Sequence, residues 1–135
     1  TPSNSSAASD VYKRQDDPLR PALNLAEMEE KYKDCQLTEH IRMLGRLKKE
    51  LSPLSEGKYR ELLLTNRQYS FARIQDDKAV IVAVNNDENP AHVSIPVPAG
   101  GNAVNAVTGE PVNVENGRIN AELSPAGSLI VSVNI

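Results

Sequence analysis

Cysteine and tryptophan are the residues that this sequence most lacks. It has one cysteine, Cys35, and no tryptophan in 135 residues. A single cysteine excludes an intrachain disulfide, which weakly favours a cytoplasmic location because disulfides concentrate in oxidising compartments. A nucleophilic cysteine needs a neighbouring base. The sequence identifies no such base, so we interpret Cys35 as a thiol without a catalytic role.

Long apolar runs and an excess of one charge are also missing. The longest apolar stretch, AVIVAV at residues 79–84, is far shorter than the roughly 18 residues that a helix needs to span a bilayer. Fifteen Lys and Arg stand against 18 Asp and Glu, a net charge of −3 at pH 7. This balance gives no general attraction to nucleic acid or to an anionic membrane. We therefore predict neither as a partner.

Motifs for cofactors and metals are absent as well. The chain has no G-x-S-x-G elbow, no glycine-rich phosphate loop and no Cys and His set at zinc spacing. Its two histidines, His40 and His92, are far apart. Residues 85–89 and 115–117 carry enough side-chain oxygens for calcium, but they lack the EF-hand spacing and read as ordinary turns. We predict no metal and no cofactor.

Strand signals fill the second half of the chain, where turn sequences recur about every 8–12 residues. Eight strands are predicted, at residues 59–64, 68–74, 79–85, 92–97, 103–107, 112–114, 118–123 and 128–135. The third is apolar on both faces and should be central. This pattern predicts a mostly β protein whose residues 57–135 form an antiparallel Greek-key β-sandwich.

Helix signals precede these strands. Asn24 is predicted to cap a short helix at residues 25–34, and Thr38 to cap a longer one that Pro53 ends. The longer helix has one apolar stripe, formed by Leu37, Ile41, Leu44, Leu47 and Leu51. Such a stripe needs a covering surface. Either the sandwich or a partner outside this chain supplies that surface, and we expect it to be the partner.

The first 15 residues, TPSNSSAASDVYKRQ, are rich in Ser and Ala and have no apolar period. They are predicted to be disordered. Their wording is similar to translated sequencing-adaptor sequence, so we predict that they are not part of the natural protein.

Three segments, in order, resemble the end of family 13 glycoside hydrolases, above all the neopullulanase, cyclomaltodextrinase and maltogenic-amylase branch. The first, TEHIRMLGRLKKELSPLSEGKY at residues 38–59, is similar to the last helix of the family's catalytic barrel. The second is YSFARI…VIVAVNN at residues 69–86, and the third is VTGEPV…GRINAELSPAGSLIVSV at residues 107–133. Together they cover most of residues 16–135.

The resemblance implies a division of the chain and a parent activity. Residues 16–56 would be the loop and one or two helices left over from a (β/α)8 barrel, and residues 57–135 the β-sandwich called domain C. The parent would be a retaining hydrolase of α-1,4-linked, or α-1,6-linked, glucans that uses an aspartate nucleophile, a glutamate acid/base and a third aspartate. Those residues lie on barrel strands upstream, so none is carried over and this chain alone is predicted to be inactive.

One loop could touch substrate in the parent. The family often has D-P-x-x-R after its last barrel strand, with the Asp and the Arg binding sugar. In DDPLR, Asp17 keeps the D-P but Arg20 comes one residue early, whereas Asp16 keeps the spacing but lacks the proline. The resemblance thus implies Asp16 or Asp17, with Arg20, as substrate-binding residues. The alternative is a salt bridge within the loop.

The leading hypothesis gives this chain a structural role, in which a sandwich shields and stabilises the missing catalytic barrel of the same polypeptide, whose substrate is an α-glucan or maltooligosaccharide. A second hypothesis is a stand-alone carbohydrate-binding sandwich, because Tyr69 and Phe71 share a strand parity and could present one aromatic face. Core packing is the alternative for those two rings. A third is an adhesion-type module that binds through its edge strands, although such a module has no need of the preceding helix.

Overall fold

The computed structural model of the protein describes residues 21–98 and 101–135. Contacts divide the chain into two units, residues 1–39 and 40–135. The first unit contains helix α1 (Leu25–Lys31) and the start of helix α2 (Gln36–Glu50). The second contains the rest of α2, a short helix α3 (Pro53–Glu56) and all of the strands. The tail predicted to be disordered lies outside the described residues.

Helix α1 begins where the sequence predicts. The Asn24 side-chain oxygen accepts hydrogen bonds from the backbone N–H groups of Ala26, at 3.1 Å, and Glu27, at 3.4 Å. These bonds satisfy donors that the first turn of a helix leaves without partners. The cap predicted at Asn24 is therefore confirmed.

Helix α2 begins at Gln36, so the cap predicted at Thr38 is wrong. Thr38 lies inside the first turn, where its backbone N–H and its hydroxyl form hydrogen bonds to Cys35. These bonds favour the thiolate and hold the pKa of the Cys35 thiol below its ordinary value.

Helix α3 is not predicted by the sequence pattern, which gives Pro53 only the role of ending α2. A proline is well suited to the first turn of a helix, where its missing N–H would have no partner. The Gly57 N–H then donates to the Pro53 carbonyl at 2.9 Å. A Cβ on Gly57 would lie 2.5 Å from that carbonyl oxygen and 2.9 Å from the Ile74 nitrogen, so only glycine fits between α3 and the sheet.

Within the described residues, eight antiparallel strands form two sheets. They are β1 (Lys58–Leu64), β2 (Gln68–Gln75), β3 (Lys78–Asn85), β4 (Ala91–Pro96), β5 (Asn102–Asn105), β6 (Pro111–Val112), β7 (Arg118–Leu123) and β8 (Ser128–Asn134). One sheet has the order β1-β2-β3-β8-β5-β6, and the other pairs β4 with β7. Each observed strand overlaps a predicted one, and the predicted antiparallel sandwich is confirmed.

The main core lies between the two sheets. Strands β2, β3 and β8 contribute Ala72, Ile81 and Val131, which meet Val93, Ile95 and Ile119 of the smaller sheet. All six side chains are at most 3% exposed. Strand β3 pairs with β2 on one side and with the last strand, β8, on the other. It therefore has a neighbour on each side, as its apolar sequence predicts.

A second apolar contact covers part of the outer face of the large sheet. From its second turn onward α2 lies on β3 and β8, where Leu47 packs against Val80 and Ile130 and is 6% exposed. Ile41 of the same helix is 60% exposed. The prediction that the whole leucine stripe awaits an outside partner is thus wrong for Leu47, because the protein's own sheet covers that part of it.

One buried polar side chain joins three parts of the sandwich. Asn85 is 3% exposed at the end of β3. Its amide nitrogen donates to the carbonyl oxygens of Asn89, at 3.0 Å, and Ser124, at 3.1 Å. Its side-chain oxygen accepts from the Gln68 amide at 2.9 Å. Asn85 therefore ties the β3–β4 turn to the β7–β8 turn and to the start of β2.

The β3–β4 turn is also held by Asp87. Its carboxylate accepts hydrogen bonds from the Asn89 backbone N–H, at 3.0 Å, and the Asn89 side-chain amide, at 3.2 Å. The backbone bond is the largest of the effects that hold the pKa of Asp87 below its ordinary value, and the positive charge of Arg67 adds to it. The oxygens of this turn are thus engaged in forming the turn itself.

Replacing Asn85 by Ala should lower the free energy of unfolding by roughly 2–4 kcal/mol, because the carbonyl groups that it pairs would be left without a donor. Urea unfolding measures the loss. Asn113→Ala is the control, since Asn113 is exposed and bonds only to Glu115 among the described residues. Equal losses in the two variants would contradict the role given to Asn85.

Leu47→Ala should destabilise the isolated chain by about 2–4 kcal/mol, because it opens a cavity between α2 and the sheet. Ile41→Ala, on the exposed side of the same helix, should change stability by less than about 0.5 kcal/mol. Thermal or urea unfolding of the two variants compares them directly. A loss at Ile41 as large as that at Leu47 would show that the exposed side is already covered.

Asp87→Asn should destabilise the protein near neutral pH and have no effect below the pKa of Asp87 in the folded state. The lowered pKa means that ionised Asp87 stabilises the fold above its unfolded-state pKa of about 4. That contribution is lost as the pH falls through the folded-state value. Urea midpoints at neutral and strongly acidic pH test this, with Glu88→Gln as the control for losing one negative charge. A difference from the parent chain that does not depend on pH would contradict it.

Candidate functional site

The substrate-binding residues predicted from the sequence, Asp16, Asp17 and Arg20, lie outside the described residues, so their role stays a prediction. Within residues 21–98 and 101–135, no group of three or more His, Cys, Asp or Glu side chains is arranged to hold a metal ion. In the same part of the chain, no helix has the length and apolar content needed to cross a membrane.

The acidic pairs of the described residues occupy turns. Asp76 and Asp77 form the turn between β2 and β3, where Asp76 adopts a left-handed conformation with a φ of 49°. Asp87 and Glu88 lie in the turn after β3. Glycosidases need two carboxyl groups that face each other across a sugar, roughly 5–10 Å apart. Neighbouring residues of one tight turn do not provide that arrangement.

A row of three aromatic rings occupies the outer face of the large sheet. The ring centroids of Tyr59 and Phe71 are 5.7 Å apart, and those of Tyr69 and Phe71 are 5.8 Å apart. The hydroxyl groups of Tyr59 and Tyr69 are hydrogen-bonded to each other. The shared face predicted for Tyr69 and Phe71 is thus present, and Tyr59 joins it from β1.

A β-bulge in β1 brings Tyr59 to this face. The register shifts between Glu61 and Leu63, so that Tyr59 pairs with Arg73. If the register of the Leu64–Tyr69 pair continued along the strands without the shift, Tyr59 would pair with Ile74 and lie on the core side of the sheet. A bulge adds one residue to one strand and reverses the faces of everything beyond it. The alternation of side chains along the sequence therefore did not predict that Tyr59 lies on this face.

The aromatic row is only partly open to solvent. Tyr59 is 53% exposed, whereas Tyr69 and Phe71 are half-buried. Neighbouring rings are tilted by 32° and 34°, so they do not form one flat platform. Such a surface is better suited to packing against another apolar surface than to stacking flat on one sugar ring.

Arg73 lies in the same face, beside the rings. It stands between Tyr59 on β1 and Val80 on β3. Its Nε atom is buried and has no hydrogen-bond partner among the described residues. No sequence pattern indicates this buried position, because an arginine on a strand normally extends its guanidinium group into water.

A comparison with protein families matches residues 59–132 to the neopullulanase-like C-terminal domain. The matched segment runs from β1 into β8 and includes the aromatic row and Arg73. It also agrees with the resemblance seen in the sequence to the end of family 13 glycoside hydrolases. The comparison with curated proteins gave no match.

Similar folds occur in solved amylase structures. An α-amylase from Anoxybacillus matches with a TM-score of 0.65 and 20% identity, over 73% of this chain and 22% of that one. The α-amylase of Geobacillus thermoleovorans, complexed with acarbose, gives 0.65 and 17%, over 73% and 23%. A maltogenic α-amylase from Thermotoga neapolitana gives 0.59 and 15%, over 74% and 26%.

At these identities the structures show a shared fold and no more. This chain spans only about a fifth to a quarter of the length of each of the three amylases. The family match rests on more than half of the 135-residue chain. The chain therefore belongs to the family of neopullulanase-like C-terminal domains.

Proposed function

We propose that this chain is the C-terminal domain of an α-glucan-hydrolysing glycosidase and that its role is structural. It stabilises the catalytic barrel of the same polypeptide and contributes no catalytic residue. The observation that carries the proposal is the match of residues 59–132 to a C-terminal domain family, in a chain that spans about a fifth to a quarter of its amylase relatives.

The partly covered helix α2 supports this role. Leu47 is buried on the sheet, but Ile41 is 60% exposed and Leu44 is 38% exposed one or two turns earlier. In the proposed parent enzyme, residues 16–56 are the end of the barrel, with α2 as its last helix. The open side of α2 would then pack against neighbouring barrel helices, so the same helix would serve both domains.

The proposed substrate class is supported by the relatives. One of the amylases of similar fold is complexed with acarbose, and another is named as a maltogenic amylase. We assign to the parent enzyme an α-glucan or maltooligosaccharide substrate, hydrolysed with retention by carboxylates outside this chain. Asp16 or Asp17, with Arg20, would contact that substrate from the loop before α1.

A stand-alone carbohydrate-binding module is the second candidate, and the aromatic row favours it. Tyr59, Tyr69 and Phe71 lie together on an outer face, as sugar-binding aromatics do. Their mutual tilt and the half-burial of Tyr69 and Phe71 count against it, because a stacked sugar ring needs an open, flat face. The structural role therefore ranks first.

The purified chain should neither hydrolyse nor bind glucans. Incubation with starch, cyclodextrin or maltooligosaccharides should release no reducing sugar, with the Anoxybacillus α-amylase as the active control. The mobility of the chain relative to a non-binding protein should be the same in native gels with starch or pullulan as in gels without them.

Two results would contradict the proposal. Hydrolysis by the chain itself would place catalytic residues within it. Retardation in the glucan gel that Phe71→Ala abolishes and Val107→Ala leaves intact would establish the carbohydrate-binding module instead. Val107 is a matched control because it is apolar and 51% exposed but lies after β5, away from the aromatic row.

A further inference from the structure

Arg73 presents a buried donor without an acceptor. Its Nε lies on the outer face of the large sheet, between β1 and β3, and no oxygen of the described residues accepts from it. A buried donor without a partner costs roughly 1–3 kcal/mol, so native proteins rarely leave one. Arg73 therefore indicates an acceptor that belongs to another surface.

Exposed apolar side chains lie on the same face of the sheet as this donor, with Tyr59 beside it and Leu64 and Val84 at the far end of β2. The bulge in β1 places Leu64 opposite Tyr69, on the outer face, where Leu64 is 66% exposed. Val84 pairs with Tyr69 from the other side and is 38% exposed. Tyr59 completes the patch at 53% exposure. Glu61, opposite Phe71, lies between Tyr59 and Leu64, so the patch is mostly but not wholly apolar. Exposed patches of this kind mark interaction sites.

Helix α2 continues the patch towards β2. With about 100° per residue, Leu44 and Ile41 lie roughly 60° and 120° from Leu47, on the side of the helix opposite to Met43. Met43 lines a groove with residues of β5 and β8. In the strand order of the sheet, the opposite side of α2 therefore faces β3 and β2. The exposed side of α2 is thus the side of the helix nearer to the patch on the sheet.

We infer that this surface receives the domain that precedes this one in the parent polypeptide, and that the incoming domain accepts a hydrogen bond from Arg73. The surface, which we name the docking face, comprises Ile41, Leu44, Tyr59, Leu64, Phe71 and Val84. The acceptor is a carboxylate or a carbonyl at a helix C-terminus, the groups that pair best with a guanidinium. The inference rests on the proposed function and assigns its contact residues.

Three observations select this occupant over a second copy of the chain or a glucan. The family is one of C-terminal domains, so polypeptide precedes the sandwich in its members. That polypeptide enters through α2, which contributes two residues to the docking face, and a tethered partner binds at a high effective concentration. The aromatic rings are tilted, which suits interdigitating side chains better than a flat sugar.

The test compares the isolated chain with a fusion in which it replaces the C-terminal domain of the Anoxybacillus α-amylase. The fusion should melt at a higher temperature than the same amylase without any C-terminal domain. Arg73→Met should lower the melting temperature of the fusion by about 2 °C or more. In the isolated chain the same change should have no effect or raise it, because it removes a buried unpaired donor and keeps the apolar stem.

Matched controls separate docking from ordinary folding. Arg60→Met removes the neighbouring arginine, which pairs with Ala72 and lies on the opposite face of the sheet. It should leave the fusion unchanged. Phe71→Ala should lower the melting temperature of the fusion more than that of the isolated chain. Val107→Ala should affect neither, since Val107 lies outside the docking face.

Each contrary outcome has a distinct meaning. A fusion that is stabilised but insensitive to Arg73→Met and Phe71→Ala would overturn the docking face and leave the proposed function standing. If the chain stabilised neither the Anoxybacillus amylase nor the Thermotoga neapolitana amylase in such fusions, the result would count against both the docking face and the proposed function. Dimerisation of the isolated chain, or retention on starch, that Phe71→Ala abolishes would assign the face to a second copy or to a glucan and would overturn the inference.

Discussion

Burial of strand β3 on both faces is the constraint on which the rest of the structure depends. Val80 and Ile81 are consecutive residues, and each is 1% exposed. Because successive side chains of a strand point to opposite faces, this strand requires apolar cover on both sides. The smaller sheet covers one side, and α2 covers the other around Val80. The helix is therefore an integral layer of the sandwich, even though its sequence resembles the end of a different domain.

The strands could be predicted from the sequence because each is a local pattern between turn residues. The centrality of β3 followed from its apolar residues on both faces, and the position of α1 from the side chain of Asn24. The start of α2 was predicted too late along the chain, because Thr38 is of a type that favours the cap position but lies inside the first turn. Helix α3 was missed because Pro53 both ends one helix and begins the next.

The candidate site was the least predictable part, for a definite reason. The face of Tyr59 depends on a bulge two residues away, and a bulge leaves no local pattern in an apolar run such as Leu62–Leu64. The lack of a hydrogen-bond partner for Arg73 Nε likewise depends on which groups of β1, β3 and α2 lie near it. The alternation of side chains along a single strand correctly predicted that Tyr69 and Phe71 share a face. It carries no information on the face of Tyr59 or on the surroundings of Arg73.

The composition of the docking face also explains how it can exist without a partner. Its largest exposed ring, Tyr59, carries a hydroxyl that is hydrogen-bonded to that of Tyr69, and Glu61 lies opposite Phe71, so polar groups interrupt the apolar surface. A phenylalanine in either place would leave an open apolar surface prone to association. The tyrosines reduce that hazard at little expense in contact area, since their rings remain available for packing. Arg73 acts in the same direction, because a guanidinium beside the rings disfavours any apolar partner that offers it no acceptor. The face therefore selects a surface that combines apolar side chains with a correctly placed oxygen, as the exposed end of a helical domain does.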